Sequence, residues 1–99
     1  MKDDSLLEEW QKRGLVTASH TSLWREAVEL LGIFDAIGRA GANALIKIDG
    51  SRPDGSIYTV VISGGQLGDA FFRKDGTELP ALLEEAISFY RTRMWTTQG

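Results

Sequence analysis

Residues 43–76, NALIKIDGSRPDGSIYTVVISGGQLGDAFFRKDG, hold three apolar runs separated by glycine-bearing turns. The middle run, residues 56–63, decides the fold. Its Ile57, Tyr58, Thr59, Val60, Val61 and Ile62 are all β-branched or aromatic, the side chains that fit a pleated, half-buried surface. Being apolar at both parities, it reads as a central strand. Residues 44–49 precede it and alternate Ile46 and Ile48 against Leu45 and Lys47, as the two-residue period of a strand requires. Residues 67–74 follow, built around Phe71 and Phe72. The first connection, Asp49-Gly50-Ser51-Arg52-Pro53-Asp54-Gly55, is a loop in which glycine supplies positive φ and Pro53 fixes one turn position. Ser63-Gly64-Gly65-Gln66 makes the second turn, and Asp75-Gly76 closes the third strand.

Outward from this meander the period changes from two to 3.6. Leu79, Leu82, Leu83, Ala86, Ile87, Tyr90 and Met94 share one helical face, with Thr77 placed to cap the helix and Pro80 in its first turn, where a missing N–H leaves no bond unmade. Upstream, residues 22–39 read as a longer helix capped by Ser22 and ended by Gly41. Its apolar positions, Leu23, Trp24, Ala27, Val28, Leu30, Leu31, Ile33, Phe34 and Ile37, span an arc wider than one contact needs. That width predicts burial on two sides, against the sheet and against either the first helix or a second subunit. Residues 4–13 form the first helix around Leu6, Leu7 and Trp10, with acids early, Lys12 and Arg13 late, and Gly14 as its stop. Residues 17–21 between these helices read as a polar linker.

The expected fold is therefore α+β, a three-stranded antiparallel meander with helices packed on it in the order α-α-β-β-β-α. A chain of 99 residues is expected to form one domain, with an N-terminal helix and linker over 1–20, an αβββα core over 22–94 and a tail over 95–99. Alternation assigns Ile46, Ile48, Tyr58, Val60, Ile62, Ala70 and Phe72 to the face under the helices. Leu45, Lys47, Ile57, Thr59, Val61, Phe71 and Arg73 fall on the other face. That second face is too apolar for a plainly solvated surface and too polar for a sealed core. Two coverings fit it: the first helix or a terminus folding over, or a partner or second copy docking there.

Composition narrows the chemistry. The net charge of −3 and pI near 5.0 oppose nucleic acid as the main partner, because affinity for a phosphate backbone comes largely from Lys and Arg displacing counterions. With no cysteine there is neither a disulfide framework nor a thiolate ligand or nucleophile. The acidic start, Met1-Lys2-Asp3-Asp4-Ser5, lacks the apolar core of a signal peptide, and no apolar run approaches the roughly 20 residues of a membrane span. A cytoplasmic protein without a membrane partner is the expectation. His20 is the single histidine, flanked by Ser19, Thr21 and Ser22, which suits a solvated linker better than acid–base work. Glu8-Glu9 and Glu84-Glu85 are neighbours along helices, so the members of each pair diverge by about 100°. The loop holding Asp49 and Asp54 lacks the alternating acids and distal Glu of a calcium site. No catalytic, cofactor or metal residues are assigned, and an enzyme is the third expectation only.

Three resemblances remain. Ile62-Ser63-Gly64-Gly65-Gln66 resembles the signature loop of ABC-type ATPases, but strand-like sequence flanks it and no helix or phosphate-cradling Lys-Ser or Lys-Thr follows, so it reads as a turn. The element order over residues 22–94 resembles that of double-stranded RNA-binding domains. That resemblance implies a nucleic-acid binder using Arg52, Arg73, Lys74, Arg91 and Arg93, although the last helix opens on Glu78, Glu84 and Glu85 where that family carries a basic cluster. In size and acidity the chain resembles immunity proteins and phage anti-defence proteins such as anti-CRISPRs, which implies a non-catalytic, inhibitor-like or adaptor module whose partner is another protein. In that reading Asp3, Asp4, Glu8, Glu9, Glu26 and Glu29 supply complementary charge, and a homodimer forms through the apolar sheet face or the wide helix.

Overall fold

The computed structural model describes residues 4–94, in the order α1 (Asp4–Lys12), α2 (Ala18–Arg39), β1 (Asn43–Ile48), β2 (Tyr58–Ser63), β3 (Phe71–Gly76) and α3 (Leu79–Met94), with a 3-10 turn at Gly65–Leu67. The three strands form one antiparallel sheet in the order β1-β2-β3, so β2 is central, as its two-sided apolar character requires. The expected α+β architecture is present, with α2 and α3 packed on the sheet.

Strand register lines up rows of residues on each face. Ala44–Ile62–Phe72, Ile46–Val60–Lys74 and Ile48–Tyr58–Gly76 lie towards the helices. Val60 and Ile62 are fully buried there, in one cluster with Leu79, Leu82, Leu83, Ala86 and Tyr90 of α3 and Ala27, Phe34 and Ile37 of α2. Each fully buried aliphatic or aromatic side chain of this kind contributes about 1.5–3 kcal/mol, which makes this cluster the main source of stability. The apolar spacing read for α3 is met: five of its seven positions are buried, and Ile87 and Met94 pack partly buried against the cluster.

Boundaries shift by one or two residues at several elements, β2 starting at Tyr58 rather than residue 56, and three differences have a physical reason. Helix α2 begins at Ala18, so residues 17–21 are its first turn rather than a linker and Ser22 is inside it. Thr17 Oγ1 accepts the N–H of His20 (3.3 Å) while His20 Nδ1 accepts the N–H of Thr17 (3.2 Å), a capping box in which imidazole takes the place usually held by Glu or Gln. The third strand runs later than expected because Gly65–Leu67 forms the 3-10 turn and buries Leu67, leaving β3 to continue through Asp75 and Gly76. A Cβ on Gly76 would lie 3.0 Å from the Leu82 side chain, so the bare backbone is what lets α3 pack this close to the strand. Helix α3 starts at Leu79, which puts Glu78, not Thr77, at the cap position; the Glu78 carbonyl accepts the N–H of Leu82 (3.2 Å).

Gly14 ends α1 as expected. It has φ 77°, its N–H donates to the Gln11 carbonyl (3.0 Å), and the Leu15 N–H reaches back to the Trp10 carbonyl (3.0 Å), which together make a Schellman motif. The 22 residues of α2 give it a length of about 33 Å, while strands of six residues span only about 20 Å. Since a three-residue turn joins its C-terminus to β1, α2 overhangs the sheet at its N-terminal end and carries α1 with it. The result is a molecule 50 × 35 × 17 Å with a radius of gyration of 15.6 Å, larger than the roughly 13 Å of a compact chain of this length.

Two glycines of α2 and the second turn make opposite predictions. Gly32 sits inside the helix with open space around it, so Gly32→Ala is expected to raise stability by about 1 kcal/mol. Gly65 has φ 58°, and a Cβ there would stand 2.8 Å from the Gly41 carbonyl oxygen, so Gly65→Ala is expected to lower stability by about 1–3 kcal/mol. Urea unfolding midpoints of the two variants against the parent chain check both signs.

Candidate functional site

The face of the sheet turned away from the helices carries the rows Asn43–Ser63–Phe71, Leu45–Val61–Arg73 and Lys47–Thr59–Asp75. Six of the seven residues assigned to this face from alternation lie in those rows, and no described helix covers Leu45 or Phe71, which are 56% and 62% exposed. Val61 is half-buried between them on the central strand. The seventh, Ile57, precedes β2, packs partly buried against the core and lends its carbonyl to the Asp49 N–H (2.7 Å).

The other end of the same face is polar and already occupied by the chain itself. Thr59, only 4% exposed, donates its hydroxyl to Asp75 Oδ1 (2.6 Å) across the β2–β3 pair. Arg52, brought back by the β1–β2 loop, lies 3.3 Å from Asp75 and 3.6 Å from Asp49 and donates to the Ser56 carbonyl (2.9 Å). Asp49 in turn accepts the N–H and the hydroxyl of Ser51 (3.0 and 2.6 Å), the local turn bond that an Asp at this place in a loop commonly makes. Thr59, Asp75 and Arg52 thus fasten the loop to the sheet, with the Thr59 hydroxyl proton engaged and its side chain buried. What remains open is a patch of Leu45, Val61 and Phe71 with Lys47 and Arg73 at its margin.

Several basic residues that would serve a phosphate backbone have carboxylate partners here. Arg52 has Asp49 and Asp75, Arg73 lies 3.7 Å from Asp75, and Lys74 holds both oxygens of Glu85 at 2.8 and 3.0 Å. Arg93 stacks 5.6 Å over the Phe89 ring; Trp95, read beside it in sequence, lies outside the described residues. Among the described residues no group of three or more acidic or imidazole side chains converges as a metal site, and no buried side-chain polar atom lacks a hydrogen-bond partner. No described helix is long and apolar enough to cross a membrane.

A second concave surface was not legible from spacing. Leu7 and Leu15 of the α1–α2 hairpin, Trp24 and Val28 of α2, and Ile48 and Tyr58 at the sheet's end enclose an open groove of about 530 Å³. It exists because α2 outruns the sheet, a length mismatch that appears only once both elements have been placed. No protein-family model matches this chain, and comparison with curated proteins and with solved structures finds none similar to it.

The loop clasp gives the site a pH dependence. The Thr59 hydroxyl bond, with Arg52 and Arg73 nearby, holds the Asp75 carboxyl below the usual Asp value, and the two Ser51 bonds do the same for Asp49. A carboxyl with a lowered folded-state pKa adds stability that is complete above its unfolded value near 3.8 and disappears as pH falls through the lower folded value. Stability is therefore expected to decline with acidification below about pH 4, and Asp75→Asn to flatten that decline, measured as urea midpoints against pH.

Proposed function

We propose that this protein is a non-catalytic protein-binding module, inhibitor-like or adaptor in role, whose partner docks on the open sheet face. The observation that carries the reading is the pair Leu45 and Phe71. Both are large, apolar and more than half exposed on a face that no described helix covers, in adjoining rows with half-buried Val61 between them, and exposed apolar surface gathered on one face marks interaction sites. Phe71 is the anchor: an aromatic side chain offers the largest apolar area for the least conformational entropy, and such residues dominate binding energy in interfaces. Lys47 and Arg73 at the patch margin each have a carboxylate of this chain nearby, Asp49 at 4.0 Å and Asp75 at 3.7 Å, so the apolar centre supplies the affinity and their charge acts only on encounter rate and partner choice. The clasp beneath them supports the reading in a second way. With Thr59 bonded to Asp75 and Asp75 paired with Arg52, the polar end of the face is held in place and presents the apolar end without rearrangement, which lowers the entropic cost of association.

Phe71→Glu is the discriminating substitution, because the side chain is exposed and its loss leaves the core untouched. Capture from source-cell extract on immobilised parent chain, followed by calorimetry with the purified captured protein, is expected to give a complex that Phe71→Glu weakens by about 2 kcal/mol or more. A partner bound equally by the parent and Phe71→Glu chains would place binding elsewhere. Titration with RNA and DNA at low salt is expected to be flat; a steeply salt-dependent isotherm would instead return the nucleic-acid reading.

A further inference from the structure

The α1–α2 hairpin is a built element whose apolar side lines an open groove that no described residue fills. Its turn is closed at one end by the Schellman motif at Gly14 and at the other by the Thr17–His20 capping box, and Arg13 pairs with Glu9 at 3.0 Å. Yet α1 has only nine residues, and helices shorter than about 12–15 residues do not persist in water without apolar cover. Its apolar residues remain open: Leu6 is 54%, Leu7 44% and Trp10 45% exposed. Across the groove Val28 is 63% and Trp24 37% exposed. The cover that would hold α1 in place is therefore not supplied by the described chain.

We propose that a second copy of this chain supplies it, two hairpins packing face to face about a twofold axis that passes near Val28, with α2 antiparallel to its symmetry mate. Three observations point to a second copy. The first is area. With Leu15 and Ile48 at 55% and 56%, seven apolar side chains about half open, at roughly 200 Å² each when fully open, offer on the order of 700 Å², against the roughly 800 Å² that each partner buries in a stable interface. The second is charge. Arg25 and Glu29 lie one helical turn apart on the rim of this stripe, and neither makes an ion pair among the described residues. An antiparallel pairing centred between residues 27 and 28 brings Arg25 of each copy to within one residue, about 1.5 Å of helix rise, of the level of Glu29 of the other, close enough for the two long side chains to pair. The third is shape. The same axis sets Trp24 of each copy opposite half-buried Leu31 of the other, so the stripe is complementary to itself, which a twofold contact demands. Together the four helices make an arrangement of the four-helix-bundle kind, in which α1 gains the cover its length requires.

This interface lies apart from the open sheet face, so the two readings fail separately. Sedimentation equilibrium of the full chain is expected to give twice the 10.9 kDa mass of one chain. Val28→Glu, at an exposed position with unchanged far-ultraviolet circular dichroism, is expected to weaken association by about a hundredfold or more, the scale of burying an unpaired charge. Arg25→Glu is expected to weaken it, and Arg25→Glu combined with Glu29→Arg to restore it, while Phe71→Glu leaves the mass unchanged. A parent chain that sediments as a monomer up to its solubility limit overturns the proposal. So does a dimer that survives Val28→Glu, or one that the charge exchange fails to restore.

Discussion

Val60 and Ile62 have no exposed surface, and this constraint organises the rest of the molecule. They occupy alternate positions of the central strand, so burying both beneath Leu79, Leu83 and Ala86 fixes β2 in rotation about its own axis. A slip of one residue would drive Thr59 and Val61 into the core and bring Val60 and Ile62 out. Once β2 is set, the ladders carry the choice to both edge strands. Ile46 and Phe72 turn inward, Leu45 and Phe71 outward, and the outer face becomes a necessary by-product of the inner one.

The clasp between Arg52, Asp75 and Thr59 uses the same register. Thr59 and Asp75 are directly opposed on neighbouring strands, and their hydroxyl–carboxylate bond requires that both point outward. Arg52 then has a fixed carboxylate to reach, and the loop that carries it is held at its two ends by Asp49 and by the Ser56 carbonyl. Exposed ion pairs contribute little individually, about 0–1 kcal/mol. Their effect here is positional: they settle where a glycine-rich loop lies and which part of the sheet stays uncovered.

Period and parity were readable from the chain, and whatever depended on length or on side chains meeting at a distance was not. The apolar positions of α3, the three strands and the division of faces follow from local alternation, which survives without knowledge of neighbours. The start of α2 was displaced because a Ser-Thr-His cluster looks like linker until the imidazole is seen to accept the Thr17 N–H, a bond with no compositional signature. Asp75-Gly76 looks like a turn for a related reason: its dipeptide favours one, and only the facing Thr59 and the space needed by Leu82 hold it in the strand. Among the outer-face residues, Leu45, Lys47, Val61, Phe71 and Arg73 were legible as surface. Thr59 was legible as outward-facing but not as satisfied, since Asp75 reaches it from the neighbouring strand and Arg52 reaches Asp75 from the loop.

The molecule is 17 Å through its thinnest direction, the thickness of one sheet and one helix layer. Two layers have one interior, and that interior is filled by one face of β2 and one stripe of each long helix. The chain is 42% hydrophobic, more than such an interior absorbs, and among the described residues most of the large exposed apolar side chains fall on two surfaces the architecture cannot turn inward. One is the outer sheet face, which would need a third layer. The other is the overhang of α2, which would need a longer sheet. The described residues build neither. Apolar surface that the described layers leave open is stabilised by whatever covers it, so the same shortage of layers that limits the core is the physical reason to look for partners on both surfaces.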